Sequence, residues 1–289
     1  MVYQKNNLIS NYIYPMMKVL HVCSEDATPM QNIIKLYKKK FKKKNVQIDM
    51  SFGDKSVKGY DVVHGHYALT KPVIDANRKA RKGSIPFILH SHGSDVRRVM
   101  GKGAVKLPFH HRWISKHIRK KSDMVLLSTP DLEEWADGIY VPNPVDLEMF
   151  KPLDVEKTGK ILLLGRFTEG GGIKKVLDPE KQYDCINWGD NIKFPDNVDT
   201  LPFLEHDELP ELLNRYEMMI GPMVDPVSLA RLEAMACGLK TYTNFPKKYT
   251  SYYGFENPDE VKDPRRFVEK YHDPDKITDY LLDIYESLV

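Results

Sequence analysis

The chain is poor in cysteine and has no long apolar run. Three cysteines stand in 289 residues, Cys23, Cys185 and Cys237, odd in number and far apart. That pattern excludes a disulfide framework and reads as reduced core thiols in a cytosolic protein. No apolar stretch approaches the roughly 18–20 residues that span a bilayer. Residues 1–16 have neither a long apolar centre nor a small-residue cleavage site, so they are not expected to be a signal peptide. They are read as an N-terminal extension before a domain start at Met17. No internal repeat is found, and the one biased segment is a lysine run. Hydrophobic residues at 42% and charged residues at 29% argue against disorder.

What is present is a chain long enough for two domains, each with its own core. The net charge of +3 hides an asymmetry. Residues 1–150 carry 25 Lys+Arg against 14 Asp+Glu, and residues 151–289 carry 18 against 26. The first half is thus +11 and the second −8, which points to an anionic partner for the first half alone. Short apolar runs alternate with amphipathic segments. Strands are expected at Val19–Val22, Val62–Val63, Phe87–Leu89 and Met124–Leu127, with helices over 31–44, 73–81 and 113–121. The pattern restarts with strands at Ile161–Leu164, Tyr183–Ile186, Met218–Ile220 and Lys240–Tyr242, and with helices over 206–216, 227–237 and 275–288. Strands 30–40 residues apart with helices between them predict βαβ units and parallel sheets. The expected class is α/β, with two Rossmann-like domains over 17–150 and 151–289 and a cleft between them.

The densest chemistry lies in the stretch Gly221-Pro222-Met223-Val224-Asp225-Pro226-Val227-Ser228-Leu229-Ala230-Arg231-Leu232-Glu233-Ala234-Met235-Ala236-Cys237-Gly238. A strand ends at Gly-Pro, a loop carries Asp225, and a helix from Val227 contains Glu233 and closes at Gly238. The free N–H groups of a helix start suit a phosphate. The two carboxylates suit hydroxyl groups of a sugar or ribose. Read alone, Asp225 could equally be a helix cap and Glu233 a solvated helix residue.

This stretch resembles the signature of the family 4 retaining glycosyltransferases. That motif is an acid, seven residues, Glu, then Ala-Met-Ala-x-Gly. Leu162-Leu163-Leu164-Gly165-Arg166-Phe167 is similar to the segment that opens the family's second domain, and His90-Ser91-His92-Gly93 to its His-Gly turn. The likeness covers roughly residues 17–240. It implies the GT-B fold and transfer of a sugar from a nucleoside diphosphate sugar with retention. Asp225 and His92 would orient the sugar, and Glu233 would hold the ribose. Arg166, with Lys174 or Lys175, and the helix start at Ser228 and Leu229 would stabilise the leaving diphosphate. No metal and no other cofactor is implied. The sequence departs from the family in three places. Asp225 replaces the usual Glu, a glycine in Gly170-Gly171-Gly172 replaces a lysine, and Ser24–Met30 replaces a Gly-rich loop. A noncatalytic nucleotide-sugar-binding relative is therefore the main alternative.

His64 and His66 alternate along one expected strand, as do His90 and His92. Each pair could face a metal, which would make the chain a hydrolase. No downstream His or Cys cluster completes a ligand set, so the expectation is a satisfied structural role for His64, His66 and His90. Lys35–Lys44 gives apolar positions at helical spacing among lysines. It fits a solvated helix face on the core, or a helix on anionic lipid headgroups with a lipid-linked acceptor nearby. Peripheral membrane attachment is the expectation drawn from the second reading. Aromatics are too sparse in the run to favour nucleic acid.

Overall fold

The computed structural model describes residues 16–97, 109–165, 167, 176–187, 193–221, 227–243 and 256–289. The first sheet has six parallel strands in the order β2-β1-β3-β4-β5-β6. They are β1 (Met17–Val22), β2 (Val46–Ser51), β3 (Val62–His66), β4 (Phe87–Ser91), β5 (Met124–Leu127) and β6 (Ile139–Tyr140). Helices α1 (Thr28–Phe41), α2 (Lys71–Lys82), α3 (Ser94–Arg97) and α4 (Phe109–Lys121) connect them. The central strands β3 and β4 are buried along their whole length, as strands with covered faces on both sides must be. β2 was not expected. Its pattern Val-Gln-Ile-Asp-Met-Ser alternates, because as an edge strand it needs only one apolar face.

The second sheet has five parallel strands in the order β11-β10-β7-β8-β9. They are β7 (Ile161–Gly165), β8 (Tyr183–Asn187), β9 (Val198–Thr200), β10 (Met218–Ile220) and β11 (Lys240–Tyr242). Counted within this sheet the order is 3-2-1-4-5, so strand order reverses between β7 and β10. Ligands of open α/β sheets bind outside the carboxyl ends of strands at such a point. Gly165 ends β7, and Gly221 follows β10, with Leu163 paired to Ile220. The two segments singled out for donor chemistry therefore start from neighbouring strand ends. Helices α5 (Leu209–Asn214), α6 (Leu229–Ala236) and α7 (Pro264–Tyr271) accompany this sheet.

The last helix, α8 (Pro274–Glu286), returns to the first sheet. Its Ile277, Leu281, Ile284 and Tyr285 join one core cluster with Val19, Val62 and Ile88 of the sheet and Ile34, Tyr37 and Phe41 of α1. The chain thus crosses twice between the sheets, through 141–160 and at His272–Asp273. The two crossings are bonded to each other. Val145 N donates to His272 O at 3.1 Å, and His272 Nδ1 lies 2.8 Å from Asn143 O.

Candidate functional site

α6 carries Glu233 and is fixed at both ends. The Ser228 hydroxyl accepts from Arg231 N at 3.3 Å and caps the start. Gly238, at φ +90°, closes the end in the left-handed region, with Leu239 N donating to Ala234 O. Arg231, within the motif, was not singled out from the sequence. Its guanidinium is fully buried, donates to Thr241 at 2.9 Å and pairs with Thr243 and Asp259. It ties the helix to β11 and to the segment before α7.

Glu233 is buried, and its carboxylate lies 2.7 Å from His206 Nε2. Burial raises the Glu233 carboxyl above its ordinary range, and the His206 hydrogen bond opposes that rise. Burial alone would lower His206, but the bond to Glu233 and its charge win and raise it. Both residues open onto a cavity of about 470 Å³. Leu229, Glu205 and Phe150 line the same space from the second sheet's side. Lys35, Lys39 and Asn32 of α1 line it from the first sheet's side. That volume lies in the usual range of small-molecule clefts. Leu229 and Glu233 are brought together there. Ser228 is committed to its cap, and neither it nor His92 lines this cavity. Arg166, Lys174, Lys175 and Asp225 lie outside the described residues.

His92 sits at the carboxyl end of β4. Gly93 turns the chain at φ +104°, and a Cβ there would stand 2.4 Å from the Arg97 guanidinium. Arg97 is buried and bidentate to Asp131 at 2.6 and 2.7 Å, so it has little room to yield. Asp95 accepts from the backbone N–H groups of His92 and Ala68. The turn that presents His92 is therefore held on both sides.

Behind His92 lies a chain of buried rings. His21 of β1, His64 and His66 of β3, and His90 share the sheet face beneath α1 and α8 with His92. Gly65 takes the opposite face, where a Cβ would meet Phe87 at 2.7 Å. Nitrogen contacts run from His92 Nε2 to His66 Nδ1 at 2.9 Å, and from His66 Nε2 to His21 Nδ1 at 2.9 Å. They continue from His21 Nε2 to the Tyr285 hydroxyl at 3.3 Å, and from that hydroxyl to His64 Nδ1 at 2.7 Å. The last link joins His64 Nε2 to His90 Nδ1 at 3.3 Å. Six groups, each with one exchangeable proton, make five links. His64 and His66 have both nitrogens engaged, in keeping with the structural role expected for them. His90 does so only in part, because His90 Nε2, like His92 Nδ1, has no hydrogen-bond partner. His21 and Tyr285 carried no sequence signal for this role. They reach the cluster through the parallel register of His21 with His64 and the return of α8.

No family model and no curated protein matches the sequence. Solved structures do match in fold. Anabaena HepE in complex with UDP superimposes with a TM-score of 0.62 at 9% identity, over 94% of this chain and 100% of that one. A Listeria monocytogenes protein assigned as a UDP-N-acetylglucosamine 2-epimerase gives 0.53 at 9% identity, over 94% and 96%. Two parallel sheets of doubly wound order, with a cleft between them that Glu233 enters from the second, give this chain the GT-B fold of two Rossmann-like domains.

Proposed function

We propose that the chain is a glycosyltransferase that takes a sugar from a nucleoside diphosphate sugar, UDP-linked by preference, with retention at the transferred carbon. The observation that carries this reading is the Glu233–His206 pair at the wall of the cleft, with Glu233 on the helix that follows the switch-point strand β10. A carboxylate held there accepts hydrogen bonds from ribose hydroxyls. The resemblance supplies the remaining roles. Arg166 and Lys174 or Lys175, with the start of α6, stabilise the leaving diphosphate. Asp225 and His92 orient the sugar. The UDP in HepE supports the choice of nucleotide, since that protein shares the fold. The acceptor rests against the basic first domain. A lipid-linked acceptor fits the exposed lysines Lys38, Lys42 and Lys43 at the end of α1.

The test is titration of UDP and UDP-sugars into the purified chain, followed by a donor-turnover assay that separates transfer, hydrolysis and epimerisation. Arg166→Ala is expected to weaken UDP by roughly 1.5–3 kcal/mol, the range for a lost hydrogen bond to a charged group. Asp225→Asn should discriminate among sugars and spare free UDP. UDP binding without turnover of any sugar would identify a noncatalytic relative. Absence of binding for every nucleoside diphosphate would overturn the proposal.

A further inference from the structure

Among the described residues, two groups of three imidazoles come close enough to ligate one ion. One is His21, His64 and His66; the other is His66, His90 and His92. In each group the candidate nitrogens lie within 4.8 Å of one another. The expectation that no further histidine completes a set assumed ligands downstream in sequence. Parallel pairing brings β1, β3 and β4 side by side instead.

We propose that His66, His90 and His92 form a site for one divalent first-row transition cation of the zinc type. Three observations favour this group over the inner one. The first is the state of its nitrogens. In the inner group, both nitrogens of His21, His64 and His66 are engaged in hydrogen bonds. In the outer group, His90 Nε2 is buried and makes no hydrogen bond of normal geometry, with only the Val141 backbone beside it, so the ion gains that nitrogen without breaking a formed link of the chain. The second is access. His92 is 8% exposed, whereas His21, His64, His66 and His90 are sealed at 0%. Of the three rings in the outer group, only that of His92 reaches the surface. The third is donor type. The set is imidazole only, which suits zinc, copper and nickel, and selects against magnesium and calcium, which prefer oxygen. The nearby carboxylate of Asp95 is occupied with the backbone of His92 and Ala68.

One of the three spacings is already close to what is needed. Tetrahedral bonds of about 2.0–2.1 Å separate ligand nitrogens by about 3.4 Å. His66 Nδ1 and His92 Nε2 now stand 2.9 Å apart around a shared proton. An ion between them needs a few tenths of an ångström of opening and leaves that proton on His92 Nδ1, which Asn143 faces, while the His90 nitrogen, within 4.8 Å of both, must close in. Burial keeps all three rings neutral, the form that ligates.

Proton counting along the chain then assigns a role to Tyr285. With lone pairs turned to the ion, His66 must carry its proton on Nε2 and donate to His21, and His90 must carry its proton on Nδ1 and donate to His64. Both arms then point inward and meet at the Tyr285 oxygen, whose two lone pairs accept from His21 and His64. Ligand orientation by such an outer partner is the common pattern of metal sites.

The experiment uses the full chain after dialysis against a chelator. Co²⁺ is titrated with visible absorption as the readout, and Zn²⁺ by competition with a chromophoric chelator. One ion per chain is expected, with the absorption of a four-coordinate cobalt site and with Zn²⁺ displacing Co²⁺. His90→Gln should lower affinity at least tenfold, and Tyr285→Phe several-fold, in protein whose circular dichroism matches wild type. His110→Ala with His117→Ala removes exposed imidazoles of α4 and should change nothing. Absence of stoichiometric uptake overturns the proposal. So does uptake that survives in folded His90→Gln, or that depends on His110 and His117. UDP affinity is measured in parallel, so loss of nucleotide binding with intact metal uptake refutes only the sugar-transfer reading.

Discussion

The Tyr285 hydroxyl lies 2.7 Å from His64 Nδ1, joining the last helix to the third strand across 221 positions of sequence. The same oxygen lies 3.3 Å from His21 Nε2. Tyr285→Phe keeps the ring and its packing but leaves two buried imidazole nitrogens unpartnered. Each such group costs about 1–3 kcal/mol. The variant is expected to unfold at lower urea concentration with an unchanged denaturant slope. An unaltered midpoint would mean that the hydroxyl does not join the chain.

The buried imidazoles also make stability depend on pH. Burial lowers His21 and His90 to about 3, and holds His64, His66 and His92 well below the usual histidine range. The unfolded chain takes up these protons near pH 6.5, and the folded chain does not until far lower. Between those values the unfolded state binds more protons, so stability rises with pH. The full contribution is present above about pH 6.5 and is lost as the pH falls, by up to about 1.4 kcal/mol per pH unit for each histidine. Urea midpoints of the metal-free chain should be level from pH 7 to 8.5 and fall steeply from 7 to 5. A level profile down to pH 5 would contradict the burial of the five rings.

In the cleft, His206 holds down a carboxyl that burial pushes up. Replacing it with phenylalanine removes that restraint. UDP affinity of His206→Phe should then start to weaken at a higher pH than that of wild type as the pH is lowered, because Glu233 takes up a proton and ceases to accept from ribose. Calorimetric titrations at pH 6, 7 and 8 make the comparison, and parallel profiles would show that Glu233 does not meet the nucleotide.

Arg231 offers a test of the helix that carries Glu233. Arg231→Met removes the Arg231–Asp259 ion pair, whose side chains are 0% and 9% exposed. Breaking a buried pair from one side costs about 3–5 kcal/mol. The expected result is a large loss of thermal stability, and Arg231→Lys should restore only part because it cannot reach Thr241, Thr243 and Asp259 together.

The lysine run now divides into three sets, and the first is Lys35 alone, which lines the cleft. Lys39 pairs with Glu148 and Asp146, Lys40 with Asp275 at 2.9 Å, and Lys44 with Asp279. The apolar stripe of α1 is consumed by the core, with Tyr37 and Phe41 fully buried. Any attraction to lipid therefore rests on the exposed Lys38, Lys42 and Lys43, at about 1 kcal/mol each. Their replacement by glutamine should abolish sedimentation with anionic vesicles at low salt and leave UDP affinity intact. Equal sedimentation with neutral vesicles would remove the membrane from the account.

Legibility of the sequence followed the physics of each element. Met124–Leu127, Met218–Ile220 and Lys240–Tyr242 form strands over the residues that their apolar runs mark. The amphipathic pattern near residue 280 marked a helix, but a pattern names the face to be buried and not the partner. Nothing in it foretold that Leu281 and Tyr285 would pack beneath α1. Glu233 and Leu229 were singled out through the resemblance of their motif, and the structure places both on the wall of the cleft. His206 was not, because one histidine before a short helix carries no pattern. The histidine pairs were visible, but their joining with His21 depends on strand register, which a single sequence does not display.

The double crossing has a mechanical meaning. Two domains on one tether can slide, twist and swing. Here two tethers pass the same point and are laced by the Val145–His272 and His272–Asn143 bonds. Such a strap opposes translation of one sheet past the other more than bending about the laced point, which is the geometry of a hinge. The pivot lies next to the histidine chain, since Asn143 also faces His92. One residue, Asn143, thus touches both the lacing of the crossings and the ring of His92.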